Sequence, residues 1–400
     1  MIYKKKTIRD LDFTGRRVLV RVDFNVPLHE GKVLSDARIR ASLPTLTYLA
    51  EAGAAVVICS HLGRPKGKKD PSLSLRPVYE RLRGLSNRPT HFVPDCIGKE
   101  VQEAAKALQA GEFLLIENTR FYAGETENDA EFAAQLASLG EILVNDAFGT
   151  AHRSHASNVG VAHILPAVAG LLIEKELSYL GDALEAPEHP FVAILGGSKI
   201  SDKIGVVSRL LQRADTLLVG GGMANAFLEA EGYSMGASRS EQEVIRQAVA
   251  LLDRGGEQIK LPIDLEVADA FAEDARHRTV NVDNVPEGWL ALDIGPKTVA
   301  EYTSHLDDAR TVVWNGPMGV YEFEAFAEGT LSIARAVAAC EGTTIVGGGS
   351  SADAVDLAGV HDRIDHVSTG GGASLRMLEG KELPGISVLL EKDDPIPGWA

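Results

Sequence analysis

The sequence predicts an α/β protein of two doubly wound parallel-sheet domains joined by a helix and hinge. Three observations carry that expectation. The chain has 400 residues, which is long for a single hydrophobic core. Short runs rich in Val, Ile and Leu alternate with Gly or polar loops and then with helical patterns, as repeated βα units do. The loops that follow those runs also change chemistry midway, from Arg- and His-bearing to Gly-rich. The expected boundaries are 1–170 for the first domain, 171–186 for a connecting helix, 187–380 for the second domain and 381–400 for a tail.

In open parallel sheets, ligands bind beyond the carboxyl ends of the strands. The residues after each strand are therefore the ones to read for function. In the first half, Arg17 to Val22 leads into Asp23, Phe24 and Asn25, and Val56 to Cys59 leads into Ser60, His61, Leu62, Gly63 and Arg64. Phe113 to Ile116 leads into Glu117 and Arg120, and Ile142 to Val144 leads into Asn145, Asp146, His152 and Arg153. Arginine makes forked, charge-assisted contacts with phosphate and carboxylate. One arginine after a strand is ordinarily a solvated surface residue. Arg64, Arg120 and Arg153 follow different strands of one sheet, and with Arg38 and His61 they can converge on one anion.

In the second half the strand ends are glycines. Phe191 to Leu195 ends in Gly196 and Gly197, Thr216 to Val219 in Gly220, Gly221 and Gly222, and Thr311 to Trp314 in Asn315, Gly316 and Pro317. Thr343 to Val346 ends in Gly347, Gly348, Gly349, Ser350 and Ser351, and Asp365 to Val367 runs into Gly370, Gly371 and Gly372. Leu290 to Ile294, ending in Gly295, reads as another unit of the same kind. Glycines before helix starts let backbone N–H groups approach phosphates, where the helix dipole favours negative charge. Lys199 and Lys203, four apart, are expected on one face of a helix start beside such a loop. A small polyanion on one domain and a nucleotide on the other point to group transfer.

Between the halves, Leu172, Glu176, Leu180 and Leu184 repeat every fourth residue, and Pro187 and Pro190 follow. That pattern predicts an amphipathic connecting helix.

Composition narrows the function further. Hydrophobic residues make up 45% and charged residues 24% of the chain, ordinary globular values. The formal net charge of −16 disfavours a general nucleic-acid binder. It also makes any local basic cluster an electrostatic focus for anions. The best apolar stretch, Val159 to Ile173, holds His163 and Pro166 and is too short to cross a bilayer. Cys59, Cys96 and Cys340 are far apart and lack a C-x-x-C pair, so reduced thiols and a cytoplasmic setting are expected. No P-loop, dinucleotide fingerprint, nucleophile elbow or HExxH motif is present. P-loop NTPase, dehydrogenase and covalent mechanisms all lose ground accordingly.

The chain resembles the phosphoglycerate kinases along nearly its whole length. The segments that carry the likeness are Arg21 to Pro27, Ser60 to Pro65, Glu117 to Phe121, Asp146 to Ser157, Leu195 to Lys203, Gly220 to Leu228, Trp314 to Phe323 and Ser368 to Leu375. The resemblance implies a monomeric glycolytic kinase, with a tail that returns to the N-terminal domain. It implies reversible in-line transfer on domain closure between 1,3-bisphosphoglycerate and ADP, giving 3-phosphoglycerate and ATP. Asp23, Phe24, Asn25, Arg38, His61, Leu62, Gly63, Arg64, Arg120 and Arg153 would then bind the sugar acid. Gly197, Lys199, Lys203, Gly220, Gly221, Gly222, Asn315, Pro317, Val320, Glu322, Gly347, Gly348, Gly349, Ser350, Ser351 and Gly371 would surround the nucleotide, which arrives with Mg2+. Arg38, Lys199 and Lys203 would be the catalytic cations. Neither nucleic acid nor membrane is implied as a partner.

Two positions depart from the family pattern. Ser350 stands where the family has a magnesium-holding Asp, and Arg376 stands where it has an acid. No metal-holding residue is therefore assigned. The alternative reading that Ser350 motivates is a catalytically weakened member that mainly binds ligands.

Overall fold

The computed structural model describes residues 4–198, 200–201 and 203–396. The chain divides into two units. The first runs to Ser178 and takes in the tail from Glu382, and the second is Tyr179–Lys381. The division falls inside the helix Leu171–Glu185, over the segment expected to connect the domains.

The first unit is built on strands β1 (Arg17–Arg21), β2 (Ala55–Cys59), β3 (Thr90–Val93), β4 (Phe113–Ile116), β5 (Ile142–Asn145) and β6 (Ala167–Ala169). They form one parallel sheet in the order β3-β4-β2-β1-β5-β6. β2 and β4 are buried at every position, as strands of a sheet covered on both faces must be. Val18, Val20, Val22, Ile58, Phe113 and Leu115 join one core that Ile396 of the tail also enters. Burying each such side chain contributes roughly 1.5–3 kcal/mol. The sheet order reverses between β1 and β5, which makes their carboxyl ends the natural crevice.

The tail is stitched into this unit. Lys5, nearly buried, donates from Nζ to Ser387 O (3.2 Å), Leu389 O (2.9 Å) and Glu391 Oε1 (2.6 Å). Asn145 Nδ2 donates to Gly385 O (2.9 Å).

In the second unit, β7 (Phe191–Leu195), β8 (Thr216–Val219), β9 (Ile259–Lys260), β10 (Asp264–Ala268), β11 (His277–Asn281), β12 (Leu290–Ile294), β13 (Thr311–Asn315), β14 (Thr343–Gly347) and β15 (His366–Val367) form two sheets. The parallel one has the order β9-β8-β7-β13-β14-β15 and reverses between β7 and β13. The other is the antiparallel sheet β11-β10-β12. This corrects one expectation: Leu290–Ile294 is not a further parallel βα unit. It pairs antiparallel with β10, whose other neighbour β11 follows after only the residues 269–276, a hairpin link too short for a parallel crossover.

Among the described residues, no helix is long and apolar enough to cross a membrane. All three thiols are free. Burial pushes Cys59 up to about 12 and Cys96 well above its ordinary value, while Cys340 is half-buried. A thiol held neutral and covered is inert. We therefore expect a disulfide reagent to titrate only Cys340 in the native protein and all three after unfolding. Rapid native labelling of Cys59 or Cys96 would contradict this.

Candidate active site

Each residue at the carboxyl edge of the first sheet is fixed by its neighbours. Ser60 Oγ accepts from Phe24 N (2.9 Å), and Asn25 Oδ1 accepts from Gly63 N (2.8 Å). Asn118 holds the His61–Arg64 loop from below, accepting from Leu62 N (3.1 Å) and donating to Leu62 O (2.7 Å). Arg120 Nη1 donates to Gly63 O (2.7 Å). Arg38 pairs with Asp23, which also accepts from Asn25 N (3.3 Å). Arg64 and Arg153 are exposed, and Arg153 Nε donates to His152 Nε2 (3.2 Å).

Electrostatics bring Arg21, Arg38, Arg120 and Arg153 together around His61 and His155. Burial, then Arg21 and Arg153, lower Arg120 to about 10. Burial, then Arg21, Arg120, His155 and Arg38, hold His61 well below its usual value. Burial, then Arg120, Arg21 and Arg153, bring His155 down to about 3. Both imidazoles are therefore neutral at physiological pH, and the arginines carry the charge. Arg120 Nε and His155 Nδ1 are buried without hydrogen-bond partners. Orphaned buried polar atoms are rare in a finished core. Both lie beside the cationic group.

The second unit carries a cavity of about 1180 Å³ at the carboxyl edge of its parallel sheet. Gly197, Lys203, Gly221, Gly222, Asn315, Pro317, Val320, Glu322, Gly348, Gly349, Ser350 and Ser351 all line it. Gly220, Gly347 and Gly371 do not line it. Gly220 instead packs against Met318, where an added Cβ would lie 2.4 Å from the sulfur. Lys199 lies outside the described residues. Lys203 is not on the helical face expected for it, because the helix begins only at Ile204 and Lys203 is its N-cap. Its Nζ instead donates to Gly196 O (2.7 Å) and Asn315 O (2.8 Å), joining the ends of β7 and β13.

Close backbone approach explains the glycines here. A Cβ on Gly196 would lie 2.0 Å from Pro317 O, and Gly316, at φ +98°, would press one to 2.3 Å from Gly196 O. Ser351 Oγ accepts from Gly316 N (2.6 Å), and Asn315 Nδ2 donates to Gly347 O (2.8 Å).

The cavity also has apolar walls. Leu265 and Leu292 of the antiparallel sheet and the Phe271–Phe323 pair (5.3 Å between ring centroids) form them. Asp293 lines it too, pushed up to about 8 by burial against the bonds from Gly329 N (2.7 Å) and Ile294 N (2.9 Å). An apolar slot beside a glycine-walled loop cluster suits a flat base with an anionic tail.

Sequence reasoning missed Arg21, Glu125, Phe271 and Leu265. Arg21 left a signal, a charged residue closing an apolar run. The others left none beyond ordinary loop or surface composition.

Comparison with known proteins shows the family. The family model described as phosphoglycerate kinase matches residues 8–381. A phosphoglycerate kinase of Moorella thermoacetica is 57% identical over 391 residues, covering 97% of this chain and 100% of the relative. One from Desulforudis audaxviator is 56% identical, covering 96% and 99%. The solved phosphoglycerate kinase of Coxiella burnetii superposes with a TM-score of 0.88 at 42% identity, covering 96% of this chain and 98% of that one.

Proposed function

Because the chain belongs to the phosphoglycerate kinase family, and is a kinase with the nucleotide binding and glycolytic role of that family, we propose how its own residues carry the reaction. Asp23, Asn25, Arg38, His61, Arg64, Arg120 and Arg153 receive 3-phosphoglycerate or 1,3-bisphosphoglycerate. The observation that carries this is the mutually repelling cationic group around Arg120, whose buried Nε lacks a partner. The cavity of the second unit receives ATP or ADP, with its base toward Leu265, Phe271 and Leu292 and its phosphates toward Gly197, Gly221 and Lys203.

The acceptor is an anion in either direction, a carboxylate or a diphosphate oxygen, so no general base is needed. Catalysis then consists of alignment and of offsetting charge on the phosphoryl group in flight. Arg38 and Lys199 are the candidates for that offset. Lys203 has a second duty, because its ammonium holds two strand-end carbonyls in place. Cytoplasmic location and a monomeric state follow from the family reading, and light scattering on the purified chain checks the latter.

Magnesium reaches the site on the nucleotide. Among the described residues, no group of three or more His, Cys, Asp or Glu could hold an ion. Ser350 lines the cavity, and Asp353 stands three residues on in the same helix, Gly349–Leu357. That donor set fits an ion that keeps its waters and leans on the phosphates. We expect Ser350→Asp to increase the magnesium dependence of ADP affinity by roughly threefold to tenfold, by adding a charged oxygen ligand. Calorimetric titration of ADP with and without Mg2+ reads this directly. Identical ratios in both proteins would show the position to be neutral.

Steady-state turnover of 3-phosphoglycerate with Mg-ATP tests the whole reading. Binding of both ligands without turnover would overturn it.

A further inference from the structure

Behind the substrate-facing groups of the first unit lies a buried layer. Arg21, at the end of β1, and Glu125, on the short helix Ala123–Glu127, are both fully buried. Arg21 Nε donates to Ser157 Oγ (2.7 Å), Ser157 Oγ donates to Glu125 Oε1 (2.7 Å), and Ser157 N donates to Glu125 Oε2 (3.0 Å). Arg21 Nη2 lies 3.9 Å from Glu125 Oε1 and 3.1 Å from His61 Nδ1. A guanidinium has donors only, so His61 Nδ1 accepts and the ring proton sits on Nε2.

We propose that Glu125 is a positioning residue for this reaction: through Ser157 and Arg21 it tempers the positive charge of the substrate pocket from behind, so that a bound phosphoglycerate is held but released. The proposal rests on the reading of that pocket as the phosphoglycerate site.

The charges facing this layer are few and can be named. Arg21, Arg38, Arg120 and Arg153 are positive, and His61 and His155 are neutral. Asp23 is committed to Arg38 at the pocket's rim. Glu125 is the acid set against Arg21, and its Oε1 is also 3.8 Å from His155 Nδ1. Removing its charge while keeping its shape leaves Arg21 uncompensated in a medium that screens poorly. A bound anion then feels one more net positive charge across a few residues of protein. Such a charge is worth on the order of tenfold in affinity for a polyanion. Binding that strengthens ground state and transition state alike does not speed chemistry, and it slows a release-limited turnover.

The test compares wild type with Glu125→Gln in the full chain. Calorimetry gives the affinities for 3-phosphoglycerate and for inorganic sulfate, and steady-state kinetics gives kcat and KM. The expected result is about tenfold tighter binding of both anions, with KM and kcat lowered together. The imidazole nitrogen signature of His61 should stay that of the Nε2–H form. A merely structural Glu125 predicts the opposite, weaker binding with lower kcat, and that result or unchanged affinity overturns the proposal. Should Glu125→Gln fail to fold, Glu125→Asp carries the same test. It draws the carboxylate away from Arg21 by one methylene, for an expected gain of about twofold, and no gain counts against the proposal. Wild type that binds sulfate but not 3-phosphoglycerate would instead refute the phosphoglycerate reading itself.

Discussion

Arg38→Ala is expected to lower kcat by about 10²- to 10³-fold while raising KM for 3-phosphoglycerate by no more than about fivefold. The asymmetry follows from where the charges sit. Arg120 is buried and locked in place by Gly63 O, and with Arg64 and Arg153 it holds a ground-state anion whether or not Arg38 is present. Arg38 keeps 37% of its side chain exposed and is tethered to Asp23 by an ion pair rather than by packing. That tether leaves it able to follow charge as the charge moves. A group that binds more strongly in the transition state than in the ground state appears in kcat. Arg38→Lys should recover only part of the loss, because an ammonium cannot make the forked contact. Unchanged kcat with a raised KM would make Arg38 a binding residue alone.

Gly316→Ala is expected to cost about 3–5 kcal/mol of stability and more than tenfold in ADP affinity, from backbone strain and overpacking combined. Gly316 adopts φ +98°, a region that side chains rarely enter. An added Cβ would lie 2.3 Å from Gly196 O and 2.5 Å from Lys203 Nζ, the two partners of a 2.7 Å hydrogen bond. Gly316 O accepts from Trp314 Nε1 (2.7 Å) and Gly316 N donates to Ser351 (2.6 Å), so the residue cannot shift without loosening both. Gly256→Ala is the control. It too has positive φ (+51°), but nothing lies within 4 Å of its added Cβ. Chemical denaturation of both variants, with ADP titration of the folded proteins, separates strain from collision. Equal losses in the two would refute the steric argument.

Much of this molecule is legible in its sequence because ligands gather where strands end, and strand ends are easy to find. The apolar runs Phe113–Ile116, Phe191–Leu195 and Thr216–Val219 coincide with strands to the residue, and the loops after them carry the arginines and glycines. The losses have physical causes. β11 is charged and mostly exposed, so it reads as a loop until its pairing with β10 is known. Lys203 looks like a helical neighbour of Lys199, but its ammonium satisfies two carbonyls that only tertiary structure brings together. Glu125 sits in a polar stretch that any reading would leave in solvent, and its partners Arg21 and Ser157 are about a hundred residues back and about thirty ahead. Burial of charge depends on what surrounds a residue in space, and local pattern does not report it.

The stitched tail has a consequence for biosynthesis. Lys6 N donates to Leu390 O (2.9 Å), Lys392 N donates to Lys4 O (2.7 Å), and Leu390 N donates to Ala167 O (2.9 Å). A ribosome emits the residues from Glu382 onward after every residue of Tyr179–Lys381. A nascent chain halted before that point therefore holds an earlier-made sheet whose Lys6 and Ala167 backbone groups still lack their partners, and whose core still lacks Ile396. The portion translated first is the portion finished last.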